Sequence, residues 1–284
     1  MTVMTKTGNE DRSQATETYM ICLDVDGTLV NHDGEMSRAV KDSARAIVAA
    51  GHEVVVSTGR SLEATLPVVR MLGIENGYAV CCNGGVTARI DTSLDYGYEV
   101  VERKTFDPGP ALVALREALP TAKYALEDDN GRFLSTERFQ DASFGVVATP
   151  VTLDKMLEAT AVRLVVFSTD STAEEFGEAV GTLGLSGVTY SVGWTAWLDI
   201  AAEGVTKASG LESLRRERGF GMRETVAVGD GRNDIEMLAW AGRGVAMGQA
   251  PDEVKAVADE ITAHVDEDGL AMVLQEILAG ARGA

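Results

Sequence analysis

Residues 19–30, YMICLDVDGTLV, carry the reading of the fold. Tyr19 to Leu23 form a short apolar run that predicts a buried strand, and the run stops at Asp24. Gly27 and Thr28 then permit a sharp turn. Asp24 and Asp26 stand two apart, so wherever extended geometry persists both carboxylates project to one side. Such a pair can divide the work of a reaction, one oxygen attacking while its neighbour gives and takes a proton. The alternative is a solvated Asp-Gly turn at a strand end.

The same punctuation recurs along the chain. HEVVVSTGR (52–60) predicts a strand of β-branched residues ending in Ser-Thr-Gly, and Tyr78–Cys82 predicts a third, ending at the Asn83-Gly84 turn. Between them Ser37 caps a helix with Val40, Ala44, Ile47 and Val48 on one face and Gly51 as its stop, and Ser61 caps another running towards Gly73. Strand and helix in alternation predict an α/β fold, a doubly wound parallel (Rossmann-like) sheet with its active loops at the carboxyl ends of the strands. Asp24, Thr58 and Asn83 would share that edge.

From residue 88 to 199 the texture changes to hairpin-like and amphipathic pieces broken by Pro108, Pro110, Pro120 and Pro150, with RLVVFSTD (163–170) the clearest strand and Phe176 and Val180 on a following helix. The parallel pattern resumes with a helix near Thr206, the strand TVAVGD (225–230), the helix NDIEMLAWA and the strand GVAMG. The expected organisation is therefore a mobile tail over 1–18, a core over 19–87 and 200–284, and an inserted α+β cap domain over 88–199. In the insert, Trp194, Trp197, Tyr190 and Arg163 can line a cleft or pack locally, and packing is expected of the tryptophans.

Composition excludes several function classes. With 284 residues, 45% hydrophobic and 24% charged, the chain can bury a sizeable core. Its 44 acidic against 25 basic residues give a formal charge of -19, which repels nucleic acid and anionic membranes. A small phosphorylated metabolite stays admissible, because a bound divalent cation can reverse the field inside one cleft. The polar opening MTVMTKTGNEDRSQATET lacks a signal peptide's apolar stretch, no segment approaches a membrane span, and Cys22, Cys81 and Cys82 sit in or beside apolar runs as core thiols, so a cytoplasmic location is expected. Oligomeric state is not legible.

GDGRND (229–234) supplies a second acidic group, with Asp230 after a strand and Asp234 four residues on, across a helix start. Aspartates there can simply cap the helix. Brought together with Asp24 and Asp26, however, the four would repel one another strongly, so convergence implies a hard, oxygen-preferring cation, for which Mg²⁺ fits best. Thr58 and Lys207 supply the hydroxyl and ammonium that phosphoryl transfer needs around its equatorial oxygens. A lysine at a helix's positive end is electrostatically unhelpful by itself, which hints at a compensating anion.

In order, DVDGTL, STGR, the lysine of EGVTKASGL and GDGRND resemble the haloacid dehalogenase superfamily of phosphohydrolases, and the long insertion resembles the type IIB α+β cap of its Cof-like subgroup, which mostly acts on sugar phosphates and other small phosphomonoesters. The resemblance spans about residues 19–280. It implies Asp24 as nucleophile, Asp26 as general acid and base, and Thr58 and Lys207 as catalytic phosphate binders, joined in that binding by Gly59, Arg60 and Asn233. It implies Mg²⁺ held by the Asp24 side chain, the Asp26 main-chain carbonyl and Asp230, with Asp234 orienting this metal cluster. Dehalogenases of the superfamily lack the second aspartate, so Asp26 favours phosphoryl transfer, with its side chain turned away from the metal. Lys207 is followed here by Ala-Ser-Gly, where the subgroup commonly has glycine next. Two other expectations stay open: a phosphomutase of the same superfamily, and a non-catalytic module that binds a phosphometabolite.

Overall fold

The computed structural model describes residues 18–137, 145–193 and 195–283. Trp194 and nearly all of the stretch read as a tail lie outside them.

Eight strands make the first sheet: β1 (Met20–Leu23), β2 (Glu53–Ser57), β3 (Asn76–Cys81), β4 (Val86–Asp91), β5 (Tyr98–Arg103) and, late in the chain, β12 (Thr225–Gly229), β13 (Arg243–Ala246) and β14 (Glu260–Ile261). The spatial order is β14-β13-β12-β1-β2-β3-β4-β5. From β14 to β3 every pairing is parallel, while β4 and β5 add antiparallel. Parallel strands must be covered on both faces, and the side-chain period of two divides the work. Ile21, Leu23, Val54, Val56, Val226 and Val228 enter one apolar cluster with residues of α1 (Arg38–Ala49), α2 (Leu62–Leu72) and α9 (Gly269–Gly283). The alternate residues Met20, Cys22, Val55 and Ala227 enter another with Leu211 and Leu214 of α6 (Lys207–Arg218), Met237 and Leu238 of α7 (Ile235–Trp240) and Val254 of α8 (Asp252–Lys255). Ser37 and Ser61 cap α1 and α2 as the sequence predicts, accepting from the amides of Val40 at 3.1 Å and Ala64 at 3.3 Å.

Six strands form a second, mixed sheet: β6 (Lys123–Asp128), β7 (Phe133–Ser135), β8 (Thr149–Pro150), β9 (Ala161–Phe167), β10 (Val188–Val192) and β11 (Trp197–Ala202), in the order β10-β11-β9-β6-β7-β8. Its helices are α3 (Gly109–Ala118), α4 (Leu153–Leu157) and α5 (Ala173–Thr182), which share their own core of Leu112, Leu115, Met156, Phe176 and Val180 with Leu164, Val166 and Leu198 of the strands. The boundary read at residue 88 falls inside β4. A tight turn through Cys82–Gly85 folds β4 back onto β3, so β4 and β5 widen the first sheet before the chain departs, and β11 stays in the second sheet to Ala202. Among the described residues no helix is long and apolar enough to cross a membrane.

Candidate active site

The loops after β1, β2, β3 and β12 meet at one edge because those strands are parallel and adjacent in the first sheet. Asp24 continues the β1 ladder, its amide donating to Val228 O at 3.0 Å, and is 5% exposed. The chain then turns on itself, with Leu29 and Val30 both donating to Val25 O. Gly27 sits at φ +82° where a Cβ would lie 2.1 Å from Asp230 Oδ2, so only glycine lets this turn approach the second acidic group.

Lys207 opens α6 behind Thr206, whose hydroxyl accepts from Ser209 N at 3.2 Å while Ser209 Oγ accepts from Thr206 N at 3.0 Å. The Ala-Ser-Gly after the lysine thus builds an ordinary helix start. Lys207 has no side-chain exposure, and its Nζ donates to Asp24 Oδ1 and to Asp234 Oδ1, each at 2.6 Å. Burial pulls the ammonium down, but Asp234 and Asp24 outweigh it and hold the pKa above the ordinary lysine value. The two carboxylates are the compensating anion that the helix position called for.

Oxygens of Asp24, Asp230 and Asp234 lie within 4.8 Å of one another. Both oxygens of Asp234 are engaged, Oδ1 by Lys207 and Oδ2 by the amides of Asp230 at 3.0 Å and Gly231 at 2.8 Å. Burial, then the Asp234 charge, push the Asp24 carboxyl well above its usual range despite Lys207. The same two causes push Asp230 up to about 6. Three carboxylates against one ammonium leave the cluster short of about two positive charges, which a divalent cation supplies, and an all-oxygen donor set suits a hard one. The residues present fit such an ion. Asp234 serves best by holding Lys207 and the 230–231 backbone, and Asp24 and Asp230 offer it their remaining oxygens.

Asp26 is turned outward, its side chain 62% exposed, and the Arg60 guanidinium grips both of its oxygens at 2.9 and 2.5 Å. Thr58 is buried at the end of β2; its amide donates to Val80 O at 2.9 Å and its Oγ1 accepts from Arg60 N at 3.1 Å, which leaves the hydroxyl proton for an anion. Asn233 Nδ2 donates to Asn83 Oδ1 at 2.9 Å. Asp24, Asp26, Thr58, Gly59, Arg60, Asp230 and Asn233 all border one cleft of 600 Å³; Lys207 and Asp234 lie buried beside it.

The second sheet forms the opposite wall. Arg163 is buried and its Nε donates to Asp199 Oδ1 at 2.5 Å, while Trp197 Nε1 donates to Asp199 Oδ2 at 2.8 Å. Trp197 stacks on Phe167 at 5.8 Å and also borders the cleft, so this tryptophan packs and lines at once. Tyr190 is 39% exposed and borders a neighbouring chamber of 240 Å³. Sequence reasoning missed Gln249. Its Nε2 donates to Gly27 O at 2.5 Å and Asp230 Oδ2 at 3.1 Å, and its Oε1 accepts from Val265 N at 3.0 Å, tying the two acidic loops together. Nothing in the local sequence marks it, a single polar residue just beyond the GVAMG strand.

Comparison with known proteins gives the family. Residues 21–274 match the model of a family described as haloacid dehalogenase-like hydrolase. The 5-amino-6-(5-phospho-D-ribitylamino)uracil phosphatase YitU of Bacillus subtilis is 32% identical, over 92% of this chain and 98% of its own length. Pyridoxal phosphate phosphatase YbhA of Escherichia coli is 28% identical over 90% of this chain and 97% of its own. Among solved structures, the subclass IIB sugar phosphatase BT4131 shares the fold with a TM-score of 0.76 at 24% identity, over 91% of this chain and 98% of that one.

Proposed function

The chain belongs to the haloacid dehalogenase-like hydrolase family, as one of its phosphoric monoester hydrolases, and from that premise we propose that it cleaves a small phosphorylated metabolite through a phosphoryl-enzyme formed on Asp24. The observation that carries the reading is Lys207, a fully buried ammonium held 2.6 Å from Asp24 and 2.6 Å from Asp234. Burying a charge is costly, and one held this way beside a cleft marks a functional site.

In the proposed reaction one oxygen of the Asp24 carboxylate attacks phosphorus while Lys207 and the Thr58 hydroxyl hold the phosphoryl oxygens, joined by Asn233 and the Gly59 and Arg60 amides. An incoming phosphoryl group competes for the Arg60 guanidinium, which frees the exposed Asp26 carboxylate to take up a proton from solvent. The bond from phosphorus to the ester oxygen breaks as that oxygen takes a proton from the Asp26 carboxyl. Asp26, now a carboxylate, accepts a proton from the attacking water, the bond from Asp24 to phosphorus breaks, and inorganic phosphate leaves. Mg²⁺ is the ion we propose for the Asp24 carboxylate, the Asp26 main-chain carbonyl and Asp230, with Asp234 steadying the cluster; when bound it neutralises charge on the transferring group. The six-stranded unit is the proposed cap, meeting the part of the substrate that departs. The phosphorylated metabolites named for the relatives YitU and YbhA support a small substrate, and the three free cysteines support a reducing, cytoplasmic setting.

The test is release of inorganic phosphate from p-nitrophenyl phosphate. Asp24→Asn should abolish it with the fold intact, and chelation should abolish it until Mg²⁺ is returned. Undiminished turnover in the Asp24→Asn variant would sink the mechanism, and transfer of the group to a second hydroxyl instead of water would identify a mutase.

A further inference from the structure

The turn that closes β3 takes no part in the mechanism above, yet its backbone is tightly constrained. Cys82 and Asn83 have φ of 53° and 52°, and Gly84 follows at 99°. Successive side-chain-bearing residues persist in the left-handed region only where their surroundings hold them. Three loops of the site do so here. Cys82 N donates to Arg60 O at 2.9 Å and Asn83 N to Thr58 O at 3.0 Å, so the turn grips the phosphate loop at both ends. Gly84 lies against the start of α6, where a Cβ would stand 2.2 Å from Thr206 O. Asn83 Oδ1 accepts from Asn233 Nδ2 at 2.9 Å and would stand 3.2 Å from a Cβ on Gly59.

Asparagine tolerates the left-handed region better than most residues, and turn chemistry alone could account for it. Turn chemistry does not account for the direction of its carbonyl. The Asn83 side chain reaches 150 residues along the chain to Asn233 instead of bonding its own backbone. We infer that Asn83 is a positioning residue for phosphoryl transfer: its side-chain carbonyl fixes the Asn233 amide while its backbone fixes Thr58, so that two donors from separate strands aim at one phosphoryl group. The inference rests on the phosphatase reading and deepens it.

Asn83→Gly keeps a residue at ease with positive φ and removes only the amide, so it isolates the side chain. With p-nitrophenyl phosphate the variant should lose about tenfold or more in kcat/KM. The loss should fall mainly on KM, and the Ki of inorganic phosphate should rise in parallel. The Mg²⁺ concentration for half-activity and the melting temperature should stay near wild type. Asn83→Ala should show the same kinetic loss with a lower melting temperature. In an Asn233→Ala background Asn83→Gly should cost nothing further. Wild-type kinetics in Asn83→Gly, or losses that add in the double variant, would overturn the inference and leave the phosphatase reading standing. A wild-type protein that releases no phosphate would overturn the phosphatase reading and the inference with it.

Discussion

At the scale of single residues the site is an exchange of charge in a buried place. Lys207→Met would strand Asp24 and Asp234 in the interior without their shared cation, a loss on the order of 3–5 kcal/mol for a broken buried pair. Urea unfolding should report that loss, and phosphate release should vanish with it. Asp230 gives a pH test. Its carboxyl lies at about 6 instead of near 3.8, from burial first and Asp234 second. A raised value in the folded state means that folding favours the protonated form. The stability this contributes is full below about pH 4 and is lost as pH rises through about 6. In EDTA, the melting temperature should therefore be higher at pH 5 than at pH 7.5, Mg²⁺ should raise it more at the higher pH, and Asp230→Asn should flatten the difference. Asp24, Asp26, Thr58 and Asp230 were legible in the sequence because each closes or closely follows an apolar strand. Gln249 was not, since a glutamine after Met247-Gly248 has the composition of any loop and acquires meaning only from Gly27 and Asp230 beside it.

Among the elements, the helix start at Lys207 and the turn at Gly84 depend on each other. Gly84→Ala would force a Cβ to 2.2 Å from Thr206 O at a φ of +99°. We expect a destabilisation on the order of 2 kcal/mol, measured by chemical unfolding, together with slower turnover because α6 must retreat with Lys207 on it. A change without effect on either would mean that the turn relaxes away from the helix. The strands of the parallel sheet were readable from runs such as VVVS and TVAVG, whose burial on both faces leaves no polar alternation to confuse them. The switch to antiparallel pairing at β4 was not readable. It depends on Cys82 and Asn83 accepting positive φ, a conformation that no local propensity announces for cysteine. For the same reason an insertion could be read from the chain, but not the strand after which it starts.

For the molecule as a whole, a formal charge of -19 sets a field that a phosphorylated substrate must enter. Raising ionic strength from about 10 mM to about 150 mM shortens the screening length from about 30 Å to about 8 Å. The kcat/KM for a dianionic phosphomonoester should then rise about twofold, while an uncharged competitor of the cleft should bind equally at both salts. A fall in kcat/KM would mean that the local field of the loaded cluster dominates. The same parallel sheet also orders events in time. β1 lies between β2 and β12, so one of its neighbours comes from about 30 residues on and the other from about 200. During synthesis at about 5–20 residues per second, β1 waits on the order of 10–40 s with one edge open. Asp24 spends that interval without Lys207, which lies 183 residues further along the chain. The nascent protein is therefore an incomplete sheet exposing an unpaired apolar strand, and the last third of the chain acts as the clasp that both closes the edge and delivers the ammonium.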